Sequence, residues 1–342
     1  MTQITTSAPP DYVAALETAA LYDEGGAGRI WMRGRDRAEL LQRLSTADML
    51  RLRPGQGVRT VLTTPIGRII DVLTVHALDD TLLLVTSPGQ GGAVWSHLKK
   101  NIFFQDKVLM EAAGRSHGQL ALFGPRAASL LADLTGAALD ELPLFGSQIV
   151  ELAGARTILA RRLGIGGEGF SLYIPTEQLE AARTALRNAG AAALGEEAYD
   201  ILRVEQGYGV AGRELSHEYI PLETGLLDAV SFTKGCYVGQ EIIARMESRG
   251  RLAKQLRGLQ LAIDDAQSIV YRLSSIVPSA KLDVDGKEAG DLTSVVLSPR
   301  FGPIALAYVR SAHAAPGTRV GIAGTNVTGE VVELPFAVSQ PS

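Results

Sequence analysis

One stretch of this chain occurs twice, and the repetition constrains the fold more than any single motif. "GRDRAELLQRLST" starts at Gly34 and "GPRAASLLADLT" starts at Gly124. At this offset of 90 residues, Gly34, Ala38, Leu40, Leu41 and Leu44 fall on Gly124, Ala128, Leu130, Leu131 and Leu134. Each copy follows a short apolar run ("RIWMR", "QLALF") and sets leucines at helical spacing, which makes one buried helix face. A second echo pairs "VRTVLTTPIG" from Val58 with "ARTILARRLG" from Ala155. Both lead into apolar stretches and then into helical segments, "GGAVWSHLKKNI" and "TEQLEAARTALRNAG". The order strand, helix, strands, helix therefore occurs twice. The fold class is α+β: a duplicated unit over 20–250, with halves at about 28–113 and 118–250, packed about a pseudo-twofold axis with a cleft between them.

From Leu256 onward the texture changes to short alternating runs broken by turn signals. Asp285-Gly286 reads as a hairpin turn, because glycine accepts positive φ without steric cost, and Pro316-Gly317 as another. A C-terminal β-barrel or sandwich over 255–338 is expected.

An apolar content of 46% and a net charge of −4 place the chain with ordinary globular proteins and exclude a globally basic nucleic-acid binder. The single cysteine cannot form an intramolecular disulfide and fits a reducing compartment. The N-terminal stretch lacks a basic segment followed by an apolar one, and no apolar run approaches the ~20 residues that span a bilayer. A cytoplasmic protein with no membrane partner is expected.

"GIGGEG", Gly164–Gly169, satisfies G-x-G-x-x-G, but "FSLYIP" follows where a dinucleotide site needs a helix, so it reads as a glycine-rich hairpin. Glu168 within it reads either as a solvated turn carboxylate or as an acceptor for the paired N–H groups of an amidine-like edge, such as a pterin. Spacing alone fits both. His76, His97, His117, His217 and His313 lack zinc spacing, and no G-x-S-x-G elbow is present. The run from Arg245 to Arg257 carries Arg249, Arg251 and Lys254 as well. It reads as a solvated basic segment or as an anion site for oligoglutamate or RNA phosphates.

"KGCYVGQE", Lys234–Glu241, holds the only cysteine, Cys236. Lys234 could favour the thiolate if the two groups approach. Gly235 and Gly239 permit tight or positive-φ backbone, and Gln240 and Glu241 open an amphipathic helix. A structural turn and a presented thiol are equally compatible with the residues.

This motif resembles the K-G-C-[FY]-x-G-Q-E signature of the YgfZ proteins, folate-binding relatives of the glycine-cleavage T-protein that assist iron–sulfur enzymes. "LLQRLSTADM", "TTPIGRIIDVLTV", "YDILRVEQGYGVAGRE", "GPIALAYVR" and "ELPF" resemble further family segments, so the resemblance covers nearly the whole chain. It implies a T-protein-like three-domain ring about a folate cleft. It also implies tetrahydrofolate or a derivative as ligand, with Glu168, Arg203, Tyr237 and Gln240 as cofactor contacts, and Cys236 with Lys234 as the reactive pair. No resident metal is implied. A transient iron–sulfur cluster shared with iron–sulfur enzymes or cluster carriers is.

T-proteins carry a catalytic aspartate after the strand resembling "TLLLVT", whereas "SPGQGGAVWSHLKK" here has no acidic residue. The implied function is therefore an accessory protein for iron–sulfur assembly or repair. The alternatives are a folate-dependent aminomethyltransferase or demethylase and a tRNA-modification factor.

Overall fold

The computed structural model describes residues 8–262 and 280–337. Residues 1–7, on which the leader-peptide reading partly rests, lie outside that range, as do residues 263–279 and residue 338 of the expected barrel. The chain forms two compact units. One comprises Pro10–Gly195 with Leu227–Ile242; the other comprises Glu196–Leu226 and the described residues from Ile243 onward.

The first unit opens with α1 (Pro10–Glu17) and β1 (Ala20–Asp23). Its first half runs β2 (Ala27–Arg33), α2 (Arg37–Leu44), β3 (Gly57–Thr63), β4 (Ile69–Ala77), β5 (Thr81–Pro88), α3 (Gly91–Lys100) and β6 (Leu109–Ala112). The second half runs β7 (His117–Gly124), α4 (Ala127–Thr135), β8 (Ser147–Leu152), β9 (Ala155–Arg162), β10 (Glu168–Pro175), α5 (Leu179–Asn188) and β11 (Ala192–Ala193). The first sheet has the order β3-β4-β5-β2-β6, and the second, read in the same sense, β8-β9-β10-β7-β1-β11. The duplication is thus real at the level of topology, with β1 taking the place that β6 holds in the first half.

The first sequence echo marks equivalent positions. Gly34 and Gly124 both adopt positive φ (98° and 125°), and a Cβ on either would stand 2.0 Å from the Lys107 carbonyl or 2.4 Å from that of Thr18. Only glycine fits at either strand exit. The second echo is out of step by one strand. Val58 lies on the edge strand β3, whereas Ala155 begins β9, the second strand in. The counterpart of β3 is β8, "SQIVEL". Both matched segments are Thr/Ile/Leu-rich strands running toward a glycine turn, so a shared local pattern imitated homology of position.

Helices cover the outer face of each sheet. Leu40, Leu41, Val94 and Leu98 bury against Leu73, Val75 and Leu84 in the first half; Leu130, Leu131 and Leu186 bury against Leu122, Leu159 and Leu172 in the second. The inner faces meet through Trp31, Leu83, Val85, Ile158, Ala160 and Tyr173. Burying apolar faces on both sides of each sheet is what lets the two halves form one body. A buried polar pair crosses this layer: His76 Nε2 and the Tyr173 hydroxyl lie 3.0 Å apart, and burial pulls His76 down to about 4, so it is neutral at physiological pH.

The second unit is built on a closed barrel of order β12-β15-β14-β13-β16-β17. Its strands are β12 (Lys254–Ala262), β13 (Lys281–Val284), β14 (Lys287–Ser298), β15 (Gly302–Arg310), β16 (Arg319–Ile322) and β17 (Thr328–Val332). Asp285 and Gly286 (φ 53° and 74°) close the β13–β14 hairpin as the turn chemistry required. Two helices precede the barrel: α6 (Glu196–Glu205) and α7 (Gln240–Arg249), the latter starting in the first unit's last segment. Residues 196–226 group with the barrel and not with the second half of the repeat as 118–250 supposed. The reason is polar as well as apolar: Arg203 and Glu205 of α6 bond to Ser294, Ser298 and Arg300 of the barrel.

Candidate functional site around the Lys234–Glu241 loop

The Lys234–Glu241 segment lies on the first half of the repeat unit and is anchored at every second or third residue. Lys234 is 7% exposed. Its Nζ donates to the carbonyls of Gln42 (2.8 Å), Ser45 (2.6 Å) and Ala47 (2.7 Å). An ammonium has three protons, and all three are used here. These carbonyls belong to the end of α2 and the residues beyond it, which a helix leaves without intrahelical partners and where a cation is favoured. Burial pulls Lys234 down to about 8, with the nearby Asp48 opposing the fall. Its ammonium also stands 4.9 Å from the Tyr237 ring centre, a cation–π contact. Lys234 is therefore a clamp on α2. With all three protons committed there, the part first expected of it, favouring the thiolate, gives way to a positioning one.

Val238 N–H donates to the Arg43 carbonyl (2.9 Å), and the Thr63 hydroxyl donates to the Val238 carbonyl (2.6 Å). Gly239 has φ 85°, and a Cβ there would lie 2.6 Å from the Thr64 carbonyl and 2.9 Å from Gly67 Cα. Gly235 has open space around it, so only the second glycine is required by packing. Tyr237 is buried, and burial raises its hydroxyl to about 12; it stays protonated. Gln240 starts α7 and is half-buried. Cys236 is free and exposed, as are its neighbour Gly235 and Glu241 at the end of the segment.

Glu168 starts β10 in the second half, opposite Gly124. The glycine loop before it joins β9 to β10 as the expected hairpin. A Cβ on Gly164, Gly166, Gly167 or Gly169 would approach backbone atoms to 2.7 Å or less. That packing wedges the loop between α1 and the turn before α4. Glu168 keeps a 37% exposed side chain and accepts a 3.1 Å bond from Arg161, so acceptor capacity remains for a pterin-like edge.

Arg203, in the barrel unit, is 1% exposed. It donates to Asp200 (2.8 Å), the Tyr208 carbonyl (3.2 Å), Glu214 (3.1 Å) and the Ser294 hydroxyl (2.7 Å). Such a guanidinium has no face left for a ligand, and the contact expected of it is corrected to a structural one. Of the basic run, Lys254 pairs with Asp291, and Arg257 donates to the Ala314 carbonyl (3.0 Å) and lies 3.5 Å from Glu333.

Sequence reasoning passed over Asp71. This residue sits on β4, 1% exposed, with its Oδ2 accepting the Ser87 N–H at 3.1 Å and its Oδ1 without a partner among the described residues. Burial raises its carboxyl above the usual carboxylate range. Ser87 belongs to the stretch that lacked an acid in the sequence, so the adjacent strand supplies one in space. Its period-two register with Ile69, Leu73 and Val75 points it into the helix-covered core. No group of three or more metal-binding side chains occurs among the described residues. None of the described helices is long and apolar enough to cross a membrane.

A duplicated α+β body followed by a closed six-stranded barrel defines a narrow class of proteins. The GCVT N-terminal domain matches residues 4–234 and the glycine cleavage T-protein C-terminal barrel domain matches 254–337. The chain belongs to the glycine cleavage T-protein family. It is 32% identical over 314 residues to a protein of Arabidopsis thaliana chloroplasts that is named a transferase, covering 92% of this chain and 70% of that one. To an aminomethyltransferase of Streptomyces coelicolor it is 32% identical over 338 residues, covering 95% and 88%. The glycine cleavage system aminomethyltransferase T of Bartonella henselae has the same fold, with a TM-score of 0.83 at 25% identity over 96% of this chain and 88% of that one.

Proposed function

We propose that this chain is a tetrahydrofolate-binding accessory protein of the YgfZ type that acts in assembly or repair of iron–sulfur enzymes through Cys236. One observation carries the reading: Lys234, Tyr237, Val238 and Gly239 are committed inward, while the thiol of Cys236, on the loop they hold, is free and exposed. A [4Fe–4S] cluster ordinarily takes four thiolates. One cysteine therefore acts with ligands from a partner or a small thiol, or in thiol exchange. For the folate, Glu168 is the residue whose remaining acceptor capacity fits the pterin edge; Arg203 is not available to it. Bound tetrahydrofolate would supply a one-carbon carrier, and this chain's part is to hold its pterin.

The test is rescue of a bacterial host lacking its own YgfZ-type protein, read as the activity of a [4Fe–4S] tRNA-modifying enzyme at matched expression. Rescue by wild type and not by Cys236→Ser supports the reading. Equal rescue by both makes the cysteine structural, and no rescue by soluble wild type rejects the pathway. The names of the relatives favour a second reading, an aminomethyltransferase. Asp71 is too deeply buried to meet a substrate, so that reading needs another acid. Turnover of a methylamine donor with tetrahydrofolate, lost in Glu168→Gln, would establish it.

A further inference from the structure

An open cleft of about 380 Å³ lies in the repeat unit, lined by none of the residues assigned above. Its volume is within the range of small-molecule sites. One wall is apolar: Trp31 of β2, Leu78 beside the β4–β5 turn and Ile149 of β8, the last exposed. His117 meets the Trp31 ring edge-on, with centroids 5.2 Å apart and planes at 81°. Ser116 fixes the polarity of this corner. Its hydroxyl donates its one proton to the Ala113 carbonyl (3.1 Å), so it must accept from Trp31 Nε1 (3.5 Å) and from His117 Nδ1 (2.9 Å). His117 thereby keeps its proton on Nδ1 and a lone pair on Nε2. Burial and the charge of Arg29 favour the neutral ring.

The charged lining is mixed. Arg33 pairs with Glu111 (2.6 Å) and donates to Thr81 (3.2 Å), whose hydroxyl donates to Asp80 (2.8 Å). These groups answer one another. Asp79 and Arg156 have no partner among the described residues, and they come from different halves of the repeat, the β4–β5 turn and β9. Three carboxylates against two guanidiniums disfavour an anion such as phosphate. A molecule carrying both an ammonium and a carboxylate offers a counter-charge to each of these two lining groups.

We propose that this cleft binds a free α-amino acid, its ammonium at Asp79, its carboxylate at Arg156 and its side chain along Trp31, Leu78 and Ile149. The chain has two tryptophans, so Trp95→Phe leaves Trp31 as the reporter. L-leucine and L-phenylalanine are titrated into this variant with intrinsic fluorescence as the readout, and into wild type with saturation-transfer NMR. Phenylacetate and phenethylamine, each lacking one charge, serve as probes of the two ends. Saturable binding of the amino acids is expected, weakened about tenfold in Asp79→Asn, in Arg156→Gln and for either single-charge analogue. Both substitutions are at the surface, and an unchanged circular dichroism spectrum verifies the fold. No saturable response by either method up to about 20 mM, well beyond a millimolar constant, overturns the proposal. So does binding of the analogues or by the variants within about twofold of the parent.

Discussion

Replacing Lys234 with methionine separates the clamp from the thiol. The substitution leaves the carbonyls of Gln42, Ser45 and Ala47 without their donor. Each orphaned buried acceptor costs about 1–3 kcal/mol, so the gross loss is about 3–9 kcal/mol. Against it stands the relief of no longer burying an ammonium. The fall of Lys234 from 10.5 to about 8 corresponds to about 3 kcal/mol, at about 1.4 kcal/mol per pH unit. The net expectation at neutral pH is a loss of about 3 kcal/mol.

The pH dependence makes the test sharper. The folded pKa lies below the unfolded one, so between about pH 8 and 10.5 the unfolded chain holds more protons than the native one. Wild-type stability therefore gains from this group as pH rises through that window, and the methionine variant does not. Urea unfolding of both proteins should show the gap widen from about 3 kcal/mol near pH 7 to about 5 kcal/mol near pH 10. A gap that stays constant or narrows with pH would refute the reasoning, as would a methionine variant as stable as wild type.

Gly239→Ala forces positive φ on a residue with a Cβ and drives that Cβ into the Thr64 carbonyl. A loss of at least about 2 kcal/mol is expected, while Gly235→Ala stays within about 0.5 kcal/mol, both read by urea midpoints. Asp71→Asn should raise the melting temperature near pH 7 and lose that advantage near pH 4. The raised carboxyl of Asp71 makes wild type lose stability as pH climbs above the unfolded value, about 3.9; equal melting temperatures across that range would contradict it. Arg203→Met breaks a buried ion pair with Glu214 and should cost about 3–5 kcal/mol by denaturation. Arg203→Lys should fail to restore it, because one ammonium cannot match the guanidinium's fork of donors.

The α+β repeat and the barrel were legible because they rest on local chemistry: leucines at helical spacing after Gly34 and Gly124, and Asp285-Gly286 at a turn that demands positive φ. The strand register of the repeat was not. β3 and β9 carry similar runs, and only hydrogen-bonded neighbours distinguish an edge strand from an interior one. Among the site residues, sequence placed Cys236 and Gly239 in one loop but could not say which way each side chain turns. Lys234 and Arg203 read as reactive or ligand-binding cations because charge is visible in a sequence and its partners are not. Lys234 finds acceptors 187 to 192 residues away. Asp71 escaped notice for the same reason: Ser87, near the end of β5, reaches it only because β4 and β5 are neighbours in the sheet.

The outward turn of Cys236 has a practical side. As the only thiol in the chain, and an exposed one, it is a single chemical handle on the loop anchored to α2 and the β3–β4 hairpin. A maleimide-linked photoactivatable group placed there would label one position without further engineering, and every adduct it captured would report on whatever comes within reach of that loop.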